Sequence, residues 1–174
     1  TVTGEFRRVL FRSDRYGSFS FRNISISKAN GSVKVVKSGY FTHYRSFVST
    51  NGMIHQVRIQ LLPKTNSGSF DAASGGTVTL PNGVKLVMPA NAVADASGNA
   101  YTGQVQVAMT WIDPSANNLP ETVMGDLRGV TTTGEERGLE TYGMIGVELT
   151  SPSGQPLNVA AGKKADLTFP IPSS

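Results

Sequence analysis

Two histidines and no cysteine set the first limit on what chemistry this chain can perform. Thiol catalysis, disulfides and thiolate metal sites are excluded. His43 follows the aromatic pair Tyr40-Phe41 and precedes Tyr44, while His55 lies in an alternating run, in phase with Val57 and Ile59. Zinc requires three or four convergent ligands, and two separated imidazoles do not supply them. His55 reads more simply as a core or edge residue. No G-x-S-x-G elbow frames a serine nucleophile. The carboxylates are more suggestive, because Asp126, Glu135, Glu136 and Glu140 crowd one long polar stretch, whereas Asp95 and Asp113 close turns. Calcium takes about six to eight oxygen ligands and is the one metal this group suits. The D-x-D-x-D-G spacing of a calcium loop is missing, so solvated loop acids are the plainer reading, and no other cofactor is expected. Glycoside hydrolysis would need two carboxylates facing each other across a cleft, and nothing singles out one pair here. A binding surface is the remaining option. Tyr40, Phe41, Tyr44 and Phe47 cluster around Lys37, His43 and Arg45. If exposed, Tyr40, Phe41, His43, Tyr44 and Arg45 could stack on sugars or grip a peptide strand. If buried, they form the corner of a sandwich.

The elements around these residues read as strands. Thr77–Leu80 and Val84–Met88 alternate on either side of a Pro-Asn-Gly turn, the strongest short-range hairpin signal. Gln104–Ile112 alternates Val105, Val107, Met109 and Trp111 against Gln104, Gln106, Ala108 and Thr110, which puts Trp111 in the core. Ile54–Leu62 alternates before Pro63, and Val33 and Val35 are in phase around Lys34. Ser18–Ile26 changes phase between Phe19/Phe21 and Ile24/Ile26, which predicts a bulge near Asn23. Asp14–Gly17, Lys28–Gly31, Asp95–Gly98 and Ser151–Gly154 read as turns. Further strands are expected within Leu139–Leu149 and Ala165–Ile171, and Ser115–Glu136 as a long Gly-rich loop. Short strands separated by regular turn signals, with no helical period, give an all-β sandwich pattern.

Charged residues make up 16% of the 174, and the chain holds 19 Gly and 9 Pro, a turn-rich composition compatible with a packed core. No window reaches the roughly 18 apolar residues of a membrane helix, so no transmembrane segment is expected. The net charge of +4 conceals an asymmetry. Residues 14–67 carry eight Lys/Arg against one Asp, a charge of +7, while residues 68–174 carry five against ten acids, a charge of −5. Such a division marks separate modules. The basic half could attract polyanions, but no nucleic-acid motif accompanies it, and nucleic acid is not an expected partner.

Three resemblances follow from these residues. Glu5–Ser13, EFRRVLFRS, resembles the translation of one frame of a common sequencing adapter, so residues 1–13 are expected to be non-native. Gly17-Ser-Phe19-Ser-Phe21, Val33-Lys-Val-Val and Lys37-Ser-Gly39-Tyr40 resemble the carboxypeptidase-regulatory-like module. That resemblance implies a transthyretin-like sandwich over residues 14–63 whose usual first strand is missing. Gly75-Gly76, Leu80-Pro81, Gly83-Val84, Pro89, Ala92-Val93, Tyr101-Thr-Gly103, Asp113-Pro114 and Phe169-Pro170-Ile171-Pro172 resemble the β-sandwich of ankyrins, netrin receptors and zonula occludens proteins, and more closely its extracellular form in cartilage intermediate layer proteins. This covers residues 75–174, with residues 64–74 between the modules as a linker. The His-Phe-Ser or His-Phe-Pro self-cleavage site of some relatives is not matched, since Tyr44 follows His43 and Gln56 follows His55. The resemblances imply two β-sandwich modules in tandem from a longer secreted or cell-surface protein of Bacteroidetes-type bacteria. They imply a non-enzymatic spacer or adhesion role toward a protein or glycan ligand. The alternative is an accessory carbohydrate-binding region of a larger hydrolase.

Overall fold

The structure, a computed structural model, describes residues 12–22, 30–48, 52–125 and 127–170. It is all-β and sandwich-like. Most of the adapter-like segment, the expected bulge near Asn23, Asp126 and residues 171–174 lie outside the described residues. The strands are β1 (Asn30–Val35), β2 (His43–Val48), β3 (Asn66–Asp71), β4 (Gly76–Thr79), β5 (Lys85–Met88), β6 (Val93–Asp95), β7 (Gln104–Ile112), β8 (Arg128–Val130), β9 (Glu136–Gly138), β10 (Met144–Thr150), β11 (Pro156–Val159) and β12 (Asp166–Thr168). A single helical turn, α1 (Leu119–Thr122), follows β7.

Two sheets face each other. One runs β3-β7-β10-β11-β6 and the other β12-β5-β4. Antiparallel partners directly opposite one another share a face, so the register assigns the interior. Val105, Val107 and Met109 of β7 oppose Phe70, Val147 and Leu149 of the neighbouring strands, and Val78 opposes Leu86 across β4–β5. Phe70, Val78, Leu86, Met88, Val93, Val105, Val107, Met109, Leu149 and Leu157 are buried as one cluster. Burial of this apolar face is the main stabilising term. The Pro-Asn-Gly hairpin forms as its sequence predicts. Gly83 takes φ 87° and donates its N–H to the Leu80 carbonyl, and Val78 opposes Leu86 across the turn.

Residues 64–74 are not a linker. Six of them form β3, which pairs with β7 and delivers Phe70 to the core. The polar composition of this strand misled the sequence reading, because β3 is an edge strand with exposed Asn66 and Ser69. Two other expectations change. Ile54–Leu62 forms no strand and joins no ladder, and Pro63 beyond it forms an isolated bridge with Tyr40. Gly31, expected to end a turn, lies inside β1, where the Phe47 ring occupies the space of a side chain.

Among the described residues, the strands of residues 14–63 are the two of the β1–β2 hairpin. This hairpin and the segment that follows it lean on the outer face of the larger sheet. Phe41 N–H donates to the Leu62 carbonyl, Gln60 N–H to the Glu121 carbonyl, and Lys64 Nζ meets Glu148 of β10 at 2.6 Å. A Cβ added to Gly146 of β10 would touch Met124, Thr110 and Phe41. Phe41, Ile112 and Val123 are therefore buried outside the main cluster, as a second, smaller apolar layer.

Candidate functional site

Strand alternation divides the aromatic cluster of β1–β2 into two faces. Phe41 and His43 share one face and are buried, and Arg45, in the same phase, is half-buried. Tyr44 lies on the other face with 46% of its surface exposed, and Tyr40 is half-buried in the turn that leads into β2. The five candidate ligand residues thus do not form one surface. The structure instead brings lysines to the two tyrosines. Lys34, the cross-strand partner of Tyr44, places Nζ 5.3 Å from its ring centroid, and Lys37 places Nζ 4.4 Å from that of Tyr40. Each is a cation–π contact. Lys34 was missed as part of this group because its pairing with Tyr44 depends on hairpin register, and the seven-residue span between the strands contains no simple two-residue turn. Phe47 packs beside His55, with centroids 5.1 Å apart.

His43 is 1% exposed and its Nε2 has no hydrogen-bond partner among the described residues. Burial, and secondarily the neighbouring Arg45 guanidinium, push its pKa below the ordinary histidine value. The folded state therefore favours the neutral ring. Its contribution to stability is complete above the unfolded value, near 6.5, and is lost as pH falls from there toward the lowered folded value. Denaturant titrations at pH 7.5 and 5.5 should show lower stability at the acidic value. His43→Leu should flatten that dependence at little cost near neutrality, because an orphaned buried polar group is being replaced by an apolar one. An unchanged slope in the variant would assign the acid sensitivity elsewhere.

Among the described residues, the carboxylates expected as a calcium group do not gather as metal ligands. Glu135 pairs with Arg137 at 2.6 Å, Glu136 pairs with Arg128 at 2.7 Å, and Glu140 is exposed beyond β9. Asp126 lies outside the described residues. Among the described residues, no three of His, Asp or Glu stand together as metal ligands. Asp95 and Asp113 act as turn acids. Asp95 accepts from the Asn99 side chain and from the backbone of Ser97 and Asn99, and Asp113 accepts from both the hydroxyl and N–H of Ser115. These bonds hold both carboxyls below the ordinary range, with the Asn99 and Ser115 side chains as the leading causes.

A second feature was not anticipated from sequence. Between the sheets, beside β12, runs a groove of about 550 Å³ lined mainly by Leu86, Val147, Leu149, Leu157, Val159 and Leu167. Leu167 faces inward opposite Leu86 yet is 47% exposed. Trp111, expected in the core, is half-buried against Phe169, which is itself 40% exposed. β12 falls within the strand expected over Ala165–Ile171, whereas the four residues of β11 are too short for the alternation of Leu157 with Val159 to stand out.

Part of the chain is similar in sequence to curated proteins. The chain is 34% identical over 116 residues to Cartilage intermediate layer protein 2 of Mus musculus, covering 63% of this chain and 10% of that protein. It is 38% identical over 68 residues to Cartilage intermediate layer protein 2 of Homo sapiens, covering 39% of this chain and 6% of that protein. The chain thus spans a tenth or less of the length of these relatives. No family model and no solved structure matches.

Proposed function

We propose that this chain is a non-catalytic binding and spacer module of a secreted or cell-surface protein, and that the outer face of the β1–β2 hairpin contacts an anionic partner. The observation that carries this reading is the pair of lysines seated on tyrosine rings along an exposed ribbon. The ribbon lies in the half of the chain whose charge is +7. Ring contact restrains each ammonium at the surface, so little side-chain freedom is lost when an anion binds. The similarity to proteins named for a layer of cartilage supports an extracellular setting.

A second reading, an accessory carbohydrate-binding region of a larger hydrolase, rests on the exposed ring of Tyr44. It is weaker, because an ammonium already covers one face of each tyrosine and leaves at most the other for a sugar. Heparin chromatography separates the two. The anionic-partner reading expects retention that falls steeply with salt, with Lys34→Glu/Lys37→Glu eluting at clearly lower salt. Absent or salt-insensitive retention would overturn it, and binding of neutral polysaccharide that is lost in Tyr44→Ala would favour the second reading.

A further inference from the structure

We infer that the Arg137–Gly138 bond is a cleavage site for an arginine-specific endopeptidase, and that the sandwich stays assembled after the cut as two interlocked chains. This site is separate from the β1–β2 surface and does not depend on it. β8 and β9 form a sheet of their own, with three residue pairs, and among the described residues they pair with no other strand. Their further backbone bonds also run within the hairpin. Thr131 N–H donates to the Glu135 carbonyl, Gly134 N–H to the Thr131 carbonyl and Leu139 N–H to the Leu127 carbonyl. All ten residues from 131 to 140 are exposed. A short ladder with every β9 residue in water opens locally without disturbing a core. Exposed polar hairpin tips of this kind are the preferred sites of proteolytic nicking.

Exposure selects one arginine. Within residues 30–170 the arginines are Arg45, Arg58, Arg128 and Arg137. Arg45 is half-buried in β2, Arg58 lies between half-buried Val57 and Ile59, and Arg128 lies between half-buried Leu127 and Gly129. Of these four, only Arg137 has exposed neighbours for three residues on each side. Its side chain is 68% exposed and its ion-pair partner Glu135 is 60% exposed, a pair too open to water to keep the guanidinium from a specificity pocket. Gly138 follows, and no atom stands within 4 Å of the Cβ it lacks. An enzyme therefore meets no obstruction on the far side of the bond.

Hydrolysis adds water across the bond, leaving a carboxylate on Arg137 and a free amine on Gly138. The piece that begins at Gly138 carries β10, β11 and β12. Each of these pairs with a strand of the other piece. β10 joins β7 over seven residue pairs, β11 joins β6, and β12 joins β5. Leu149 and Leu157 from one piece share a buried cluster with Val78, Leu86 and Val107 from the other. Ladder bonds and apolar burial thus hold the pieces together across the cut. The product is a joint that a pull along the chain can part without breaking a covalent bond.

Limited digestion of the full chain with clostripain, an arginine-specific endopeptidase, tests both halves of the proposal. Mass spectrometry under denaturing conditions should show residues 138–174 as the first fragment produced by scission within residues 30–170. In native buffer that fragment should co-elute with the remainder on size exclusion, and in guanidinium the two should separate. Arg137→Gln should slow this cut by at least about a hundredfold, because a pocket built for arginine leaves its polar groups unpaired on glutamine. The residue is exposed, so the variant's denaturation curve should match that of the parent chain. A first cut after Arg45, Arg58 or Arg128 would overturn the site. So would a cut after Arg137 no faster than global unfolding, because the hairpin would then not open by itself. A 138–174 fragment that elutes alone in native buffer would overturn the interlock.

Discussion

Phe70→Ala is expected to lower the unfolding free energy by about 3–5 kcal/mol, the usual cost of emptying a buried phenylalanine site. Phe70 is buried in β3, opposite Val105 of β7, and is a member of the inter-sheet cluster. The Cβ that Gly76 lacks would sit against it, so the neighbouring backbone is shaped to its presence. Guanidinium denaturation followed by Trp111 fluorescence measures the effect, since the chain has a single tryptophan. A loss below about 0.5 kcal/mol, the range of surface substitutions, would mean that residues 64–74 act as a linker in solution and that β3 is not part of the cooperative unit.

The second large effect is expected at Gly75. Its φ of 72° is left-handed, and an added Cβ would lie 2.3 Å from the Met88 carbonyl oxygen and 2.7 Å from both Ala90 N and Pro89 C. All three obstacles are backbone atoms, so no rotamer change can relieve the clash. Gly75→Ala combines the left-handed penalty of about 1–2 kcal/mol with overpacking of about 1–3 kcal/mol, for a loss of about 2–5 kcal/mol. Gly83→Ala is the control. Gly83 has φ 87° with nothing near the missing Cβ, and only the first penalty, about 1–2 kcal/mol, should appear. Matched denaturation curves decide, and equal losses in the two variants would show that the corner between β3 and β4 yields.

Much of the sandwich was legible because its strands alternate strictly. The bounds of β7 match the alternating run from Gln104 to Ile112, and β4 and β5 flank the Asn-Gly turn that announced them. Elements held by partners distant in sequence were not legible. β3 is polar along its exposed positions, and only its pairing with β7 makes it a strand. Ile54–Leu62 shows the opposite failure, since its period-two pattern is satisfied by half-burial of Val57, Ile59 and Leu61 without a ladder. The aromatic cluster was visible as composition, but its division was not. Alternation turns Phe41 and His43 inward and leaves Tyr44 outside, and the choice of inward face is set by the sheet that receives the hairpin. The groove beside β12 was hidden for a similar reason, since residues of β5, β10, β11 and β12 line it together and no local pattern encodes that assembly.

The backbone bonds from Phe41 to Leu62 and from Lys64 to Gly39 also have a mechanical meaning. They pinch the chain at the base of a loop of roughly 20 residues, so an end-to-end pull reaches the sandwich without stretching what lies between. Once those bonds, the β1–β2 ladder and the Lys64–Glu148 contact give way, roughly 70 Å of slack is released at the 3.3–3.6 Å per residue of an extended chain. A chain built this way lengthens under load before its sandwich unravels, with β2 and the stretch up to Leu62 as the reserve of extension.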